Sequence, residues 1–403
     1  MIPLPVVHAL LALCLVGSMA VSAQAPLSVT QGRASQRAGT KMVDVYYDVS
    51  GGLPPYSVSL QGSTDGGATW NLPVTAVSGN VGGVTAGTNR KVTWDAGTNW
   101  AGQISANVKF RVNVTDSATP PAPDGFALIP AGSFQMGNQS NPRVGNSSEL
   151  PVHSVYVSAF YMGKYEVTKE LWDTVRAWAL NNGYTDLPVG NGTYASKGAN
   201  HPVHSISWYA MLKWCNARSQ KENLTPCYTV SGSTYQTGNL APDCNWNANG
   251  YRLPSEAEWE KAALGGLFGK LFPWGTDTIS HSQANYYSSS IYAYDVSPTR
   301  NHHPTYAVGN YPYSSPVGSF APNGYGLYDM AGNMWELCWD FYGSYTAGSQ
   351  TNPRGAISGA YRVIRSGTWG SGADRCRVAS RNDAVPGYAH NTLGFRLARS
   401  SVP

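Results

Sequence analysis

The sequence predicts an irregular α+β domain preceded by a small all-β sandwich, and three observations carry that expectation. Apolar residues alternate with a period of two at Val43, Val45, Tyr47 and Val49 and again at Val108, Phe110, Val112 and Val114, as half-buried strands require. Helix-start signals stand at Thr168, Ser207 and Ser255, all beyond the alternating region. Past Gly265 the chain runs into long stretches rich in Gly, Tyr and Asn, which suit irregular loops better than long helices. With 403 residues, 42% of them hydrophobic, the chain is long enough to bury two cores. Only 12% are charged, and a net charge of +4 without a Lys/Arg run excludes a nucleic-acid footprint.

Residues 1–23 read as a secretory signal peptide: an apolar run from Ala9 to Leu15, then Val21, Ser22 and Ala23 as small residues before a cut. The segment lacks Lys or Arg near its start, so a retained anchor is the alternative. Cys14, behind the bulky Leu13, would leave with the signal. A secreted, periplasmic or cell-surface location follows, in which disulfides can persist. No later apolar run is long enough to span a bilayer.

Residues 26–117 form the predicted sandwich, of immunoglobulin or fibronectin type. Gly51-Gly52, Asp65-Gly66-Gly67, Gly82-Gly83 and Asp95-Ala96-Gly97 punctuate its short strands. No chemistry is visible in it, which suits a spacer or adhesion module. Residues 118–125 are a Pro-rich, semi-rigid linker.

The α+β domain then spans residues 126–400. FALIPAGSFQMGN, from Phe126, reads as strand and turn, and Val155, Val157 and Tyr161 mark another strand. Thr168 caps a helix that presents Leu171, Trp172 and Val175. Ser207 precedes a second, with Trp208, Met211, Leu212 and Cys215 on one face. After Pro254, Ser255 and Glu258 form a capping box for a third helix, with Ala257, Trp259, Ala262 and Ala263 on or near its buried side. Loops this long need something besides core burial to hold them. Trp335 and Trp339, four apart, read as core aromatics. His201 and His204 have no Asp or Glu at a metal-binding spacing.

The blocks FALIPAGSFQMG, HSVYVSAFYMGKYEVTKELW, HPVHSISWYAMLKWCN, NGYRLPSEAEWEKAALGG, FPWG, NGYGLYDMAGNMWELCWD, RVIRSGTW and NTLGFRLA follow one another in order through this domain. Together they resemble the sulfatase-modifying-factor domain of formylglycine-generating enzyme, which implies an irregular fold related to C-type lectins. The resemblance also implies structural calcium. Asp329 and Glu336, two carboxylates flanking a Gly-containing turn, offer the hard oxygen ligands calcium takes. In the family, the positions of Gly332 and Met334 add backbone oxygens, and Asn285 and Tyr286 resemble the start of a further calcium site. The plainer alternative is that Asp329 caps a turn and Glu336 makes a salt bridge.

Enzymes of this family oxidise a substrate cysteine to an aldehyde with oxygen and copper(I), held by two cysteine thiolates five residues apart. No two cysteines beyond the signal have that spacing, so copper and catalytic residues are not expected. Cys227 and Cys244 bracket a short insertion and could be stapled as a hairpin. Cys338 and Cys376 lie in blocks that pack together in the family fold, which makes them a second candidate pair. Cys215 matches a family cysteine whose partner position is Leu397 here, and reads as a buried free thiol.

The resemblance extends to lectin-type variable proteins that bind through the segment matching residues 369–391. Trp369, Ser371, Asp374, Asn382, Asp383, Tyr388 and Asn391 there are candidate contacts to a protein, peptide or glycan ligand, or plain solvated loop residues. The expectation is a secreted, non-catalytic binding or scaffold protein; the alternative is a formylglycine-generating oxidoreductase or a divergent oxidase acting on a sulfatase or peptide cysteine.

Overall fold

The structure, a computed structural model, describes residues 27–51, 56–103, 105–116, 122–139, 144–192 and 198–401. The signal peptide and half of the linker (118–121) lie outside these residues. Among the described residues, no helix is long and apolar enough to cross a membrane.

The N-terminal region is a two-sheet sandwich. Its strands are β1 (Ser28–Gln36), β2 (Met42–Ser50), β3 (Tyr56–Ser63), β4 (Val77–Gly79), β5 (Gly82–Val84), β6 (Gly87–Asp95) and β7 (Lys109–Asp116). One four-stranded sheet has the order β1-β2-β6-β4; the facing three-stranded sheet runs β5-β3-β7. The alternation read from the sequence is the inward face: Val45, Tyr47 and Val49 of β2 and Phe110, Val112 and Val114 of β7 share a core with Trp94. Each such side chain stabilises the sandwich by about 1.5–3 kcal/mol when fully buried.

The second domain opens with β8 (Phe126–Ile129), β9 (Gly132–Met136), β10 (His153–Val157) and β11 (Phe160–Gly163). Three helices follow the short α1 of the sandwich (Ala96–Asn99): α2 (Lys169–Ala179), α3 (Trp208–Lys221) and α4 (Glu256–Leu264). Thr168, Ser207 and Ser255 cap α2, α3 and α4, each accepting a backbone N–H from the first turn, and the capping box of Ser255 and Glu258 is formed on both sides. Trp172 of α2 stacks on Trp214 of α3 at 5.6 Å, both fully buried.

The remaining strands are short: β12 (Tyr228–Val230), β13 (Ser233–Thr234), β14 (Asp243–Cys244), β15 (Tyr251–Arg252), β16 (Trp335–Phe341), β17 (Gln350–Thr351), β18 (Arg362–Arg365), β19 (Asn382–Ala384), β20 (Leu393–Gly394) and β21 (Ala398–Ser400). They form small sheets, among them β19-β18-β16-β20 and β15-β21-β11-β8. The latter ties the start of the domain to its end. Where the loop after α4 returns, the Asn323 amide donates to the Ala262 and Ala263 carbonyls and closes the helix C-terminus. A Cβ on Gly324 would stand 2.3 Å from the Gly265 carbonyl oxygen, so only glycine permits that approach.

Buried ion pairs hold the irregular segments. Helix α4 presents Glu256, Glu258 and Glu260 to arginines from distant blocks. Glu256 accepts from Arg381 at 2.6 and 2.8 Å and from Arg365 at 2.7 Å; Glu260 accepts from Arg365 at 2.7 Å. Glu258 takes both Nη atoms of Arg252 at 2.6 and 2.9 Å. Arg377 clamps Glu149 in the same bidentate way, at 2.6 and 2.8 Å. All these groups are almost fully buried, so removing one partner strands a charge, at a cost of about 3–5 kcal/mol.

Candidate functional site: a carboxylate pair and a looped surface

The turn between Asp329 and Met334 is set by close backbone approach. Gly332 has φ +80°, and a Cβ there would lie 2.3 Å from the Asn285 carbonyl oxygen. The turn therefore presses against Asn285, and Asn333 N donates to that same carbonyl at 2.8 Å. This brings three carboxylates, from Glu166, Asp329 and Glu336, into electrostatic reach of one another.

Glu336 is already satisfied. Arg396 donates to its two oxygens at 2.5 and 2.6 Å, and Trp259 Nε1 adds a bond at 2.7 Å. Of the two readings offered by the sequence, the salt bridge is the one found at this residue, because the Arg396 guanidinium occupies the carboxylate's oxygens. The Gly332 carbonyl accepts from Ser366 Oγ, and Tyr286 lends its carbonyl to His281. Met334 N donates to Glu166.

Glu166 and Asp329 are the unbalanced pair. Glu166 accepts from Asn333 Nδ2 at 2.7 Å and Met334 N at 3.1 Å, and Asp329 Oδ2 accepts from Gly318 N at 2.6 Å. Asp329 Oδ1, Asn285 Oδ1 and Ser315 Oγ are buried without a hydrogen-bond partner. Burial, then the charges of Asp329 and Glu336, push Glu166 well above the usual carboxylate range. Burial is also the main cause that lifts Asp329 to about 6, against the Gly318 N–H and Arg396. Among the described residues no three His, Cys, Asp or Glu side chains converge as a metal-ligand group. Calcium, however, takes amide and backbone oxygens beside carboxylates. Two carboxylates with orphaned oxygens beside them fit that chemistry; Glu336 as a ligand does not.

The candidate ligand segment divides around a strap, residues 388–392, pinned by Ser205 N to the His390 carbonyl at 3.0 Å and Trp335 N to the Thr392 carbonyl at 2.9 Å. Asp383 and Tyr388 line a hollow of about 340 Å³ with Trp335, Tyr361, Ile364 and Val385. Asn391 lines another, of about 410 Å³, with Lys169, Asn191, His204, Ser205 and Tyr311. Trp369 lies beneath Tyr311, stacked at 5.3 Å, with its indole N–H buried and unpartnered. Neither Trp369 nor the other three candidates line either hollow. Ser371 offers its carbonyl to Tyr287 N, Asp374 pairs with Arg375 at 3.5 Å, and Asn382 faces Ile364 across the β18–β19 ladder. His204, which the sequence shows only as a histidine without a metal-binding spacing, is a wall of the second hollow, and burial lowers it to about 4.

Cys215 is the buried free thiol expected, and neither candidate disulfide is formed. Cys215, Cys227, Cys244, Cys338 and Cys376 are all free thiols in this structure. The β12–β14 register sets Cys244 opposite Tyr228, and the Cys227 thiol lies near enough for its charge to raise Cys244, yet no bond joins the two. Cys338 packs with Val363 and Val378 in one core cluster and Cys376 with Phe272 and Ala373 in another, so these two sit in different clusters. Burial pushes every one of the five thiols up, Cys227 to about 11.

Residues 111–401 match the sequence profile of the Sulfatase-modifying factor enzyme 1-like domain. The chain belongs to that family. Mouse formylglycine-generating enzyme is 29% identical over 321 residues, covering 72% of this chain and 79% of that protein. The chaperone protein LppX of Paenibacillus barcinonensis is 30% identical over 285 residues, covering 69% and 90%. Among solved structures, Treponema denticola variable protein 1 superposes with a TM-score of 0.53 at 32% identity, covering 68% of this chain and 94% of its own. CarF follows at a TM-score of 0.50 and 27% identity, covering 69% and 98%. The family match begins inside β7 of the sandwich, whereas β8 is the first strand paired within the second domain.

Proposed function

We propose that the protein is a secreted, non-catalytic member of the sulfatase-modifying-factor family that binds a peptide or glycan through the two hollows flanking the 388–392 strap. The observation that carries this reading is the mixture of surfaces there. Exposed Tyr361 and Tyr388 rim an apolar hollow, and Asn191, His204 and Asn391 line a polar one alongside it. Aromatic anchors beside adaptable polar groups are the chemistry of recognition loops. One relative carries the name of a chaperone and another that of a variable protein, both consistent with binding.

The oxidase alternative is weakened because no two of Cys215, Cys227, Cys244, Cys338 and Cys376 stand five apart, the spacing of the family's copper-binding pair. Calcium is the second part of the proposal. Glu166 and Asp329 would hold it with the Asn285 amide oxygen, and its charge would offset the repulsion between the two carboxylates. The direct test incubates the purified protein with copper, oxygen, reductant and a Cys-x-Pro-x-Arg peptide. An unchanged peptide mass is expected; conversion of the cysteine to formylglycine would overturn the proposal.

A further inference from the structure

A third cavity, of about 340 Å³, lies apart from both hollows and is lined by Ser158, Trp246, Arg252, Glu258, Asn352 and Arg354 among others. Its charge is not balanced. Glu258 is saturated by the bidentate Arg252 pair and by Ser255 N, and Arg354 reaches it only through one 3.3 Å contact. Two guanidinium groups therefore share one carboxylate, leaving one positive charge in excess. Asp340, another carboxyl near Arg354, does not cancel it: burial and the charge of Glu256 keep its proton on to about pH 8.

The excess donor is pre-aimed. The Arg354 guanidinium lies 3.5 Å over the Trp246 ring, with 28% of its side chain exposed. A guanidinium carries five N–H donors, and one long bond leaves most of them free to face the cavity. Deeper down, Arg252 is 2% exposed and its Nε has no partner. Asn352 is locked in place, its amide bonded to both Ser158 N and Ser158 Oγ. A rigid wall, an aromatic shelf and unmet donors on a fixed cation form a receptor for a planar or tetrahedral oxyanion.

We propose that this cavity is an oxyanion-binding site, taking a carboxylate, sulfate or phosphate group with Arg354 as its principal donor. The volume exceeds that of the bare ion, leaving room for the saccharide or residue that bears it.

The test is calorimetry and thermal melting of the full chain with sodium sulfate, sodium phosphate and sodium acetate, each replacing chloride at constant ionic strength. Saturable binding of at least one anion is expected, weakened at least tenfold in Arg354→Gln and unchanged in Lys270→Gln, a surface control. Arg354→Gln leaves the Arg252–Glu258 clamp in place, so circular dichroism should report an intact fold. A glucose sulfate that binds more tightly than inorganic sulfate identifies an anionic saccharide as the ligand class; equal affinities assign the site to the free ion. No saturable binding by any probe, or equal affinities of the wild type and Arg354→Gln, would overturn the proposal.

Discussion

Around α4 each buried glutamate meets at least one guanidinium, whereas at the Glu166–Asp329 pair the nearest guanidinium is already committed to Glu336. The residues are of the same kind and equally buried, yet Glu256 and Glu258, each reached by two guanidinium groups, are lowered, whereas Glu260, reached by Arg365 alone, is raised by burial. Burial by itself would raise Glu258, but the charges of Arg252 and Arg354 more than offset it and hold the group at about 2. Glu256 is likewise lowered, by Arg381 and Arg365. Glu166 and Asp329 are raised instead. The difference lies in how many cations each carboxylate can reach, and it separates scaffold from site: a matched pair stabilises a loop, and an unmatched pair awaits a cation.

The largest effect expected from this contrast is at Glu256. Glu256→Ala strands both Arg365 and Arg381 in the core and should cost about 3–5 kcal/mol in denaturant unfolding. A loss below about 1 kcal/mol would show that the network does not hold the loops.

Asp340 sharpens the comparison, because it adjoins the α4 network without a guanidinium clamp. Its folded value of about 8 lies above its ordinary 3.8, so its contribution is complete at low pH and is lost as pH rises through 8. Glu258 has the opposite sign: its contribution is present above pH 4.5 and is lost as pH falls through about 2. Asp340→Asn keeps an acceptor for Glu256 N, whose bond to Asp340 Oδ2 is 2.9 Å. The difference in melting temperature between Asp340→Asn and wild type should therefore move by roughly 5 °C in favour of the variant between pH 6 and 9. A pH-independent difference would contradict the assignment.

The smallest effect on stability belongs to the surface. Tyr388→Ala should change unfolding free energy by no more than about 0.5 kcal/mol, since the side chain is 46% exposed. On glycan and peptide arrays the same variant should lose the signals that the wild type gives; unchanged signals would remove the Tyr388 hollow from the binding surface.

What the sequence disclosed follows the range of the interactions. Thr168, Ser207 and Ser255 could be read as caps because each bonds within its own first turn. The strands around Val45 and Val112 declared themselves by alternation. Glu256 and Glu260 could be seen only as members of a helix start, since Arg365 stands more than a hundred positions away, |i−j| = 109 and 105. Glu166 is hidden for the same reason: Asn333 and Asp329, which it meets, come from another block, and the sequence shows only a lone acid between Tyr165 and Val167. The cysteine pairs rest on an insertion bracketed by Cys227 and Cys244 and on the packing of the blocks that carry Cys338 and Cys376, and neither fixes register or face.

Whether the unmatched carboxylates take a cation decides whether Glu166 and Asp329 form a site. Calorimetric titration of calcium into the chelator-treated protein at pH 7.5, roughly the cellular value, measures this directly. Saturable binding in the wild type is expected, together with its loss in Asp329→Asn and Glu166→Gln. Absence of binding in the wild type, or identical titrations in all three proteins, would contradict it.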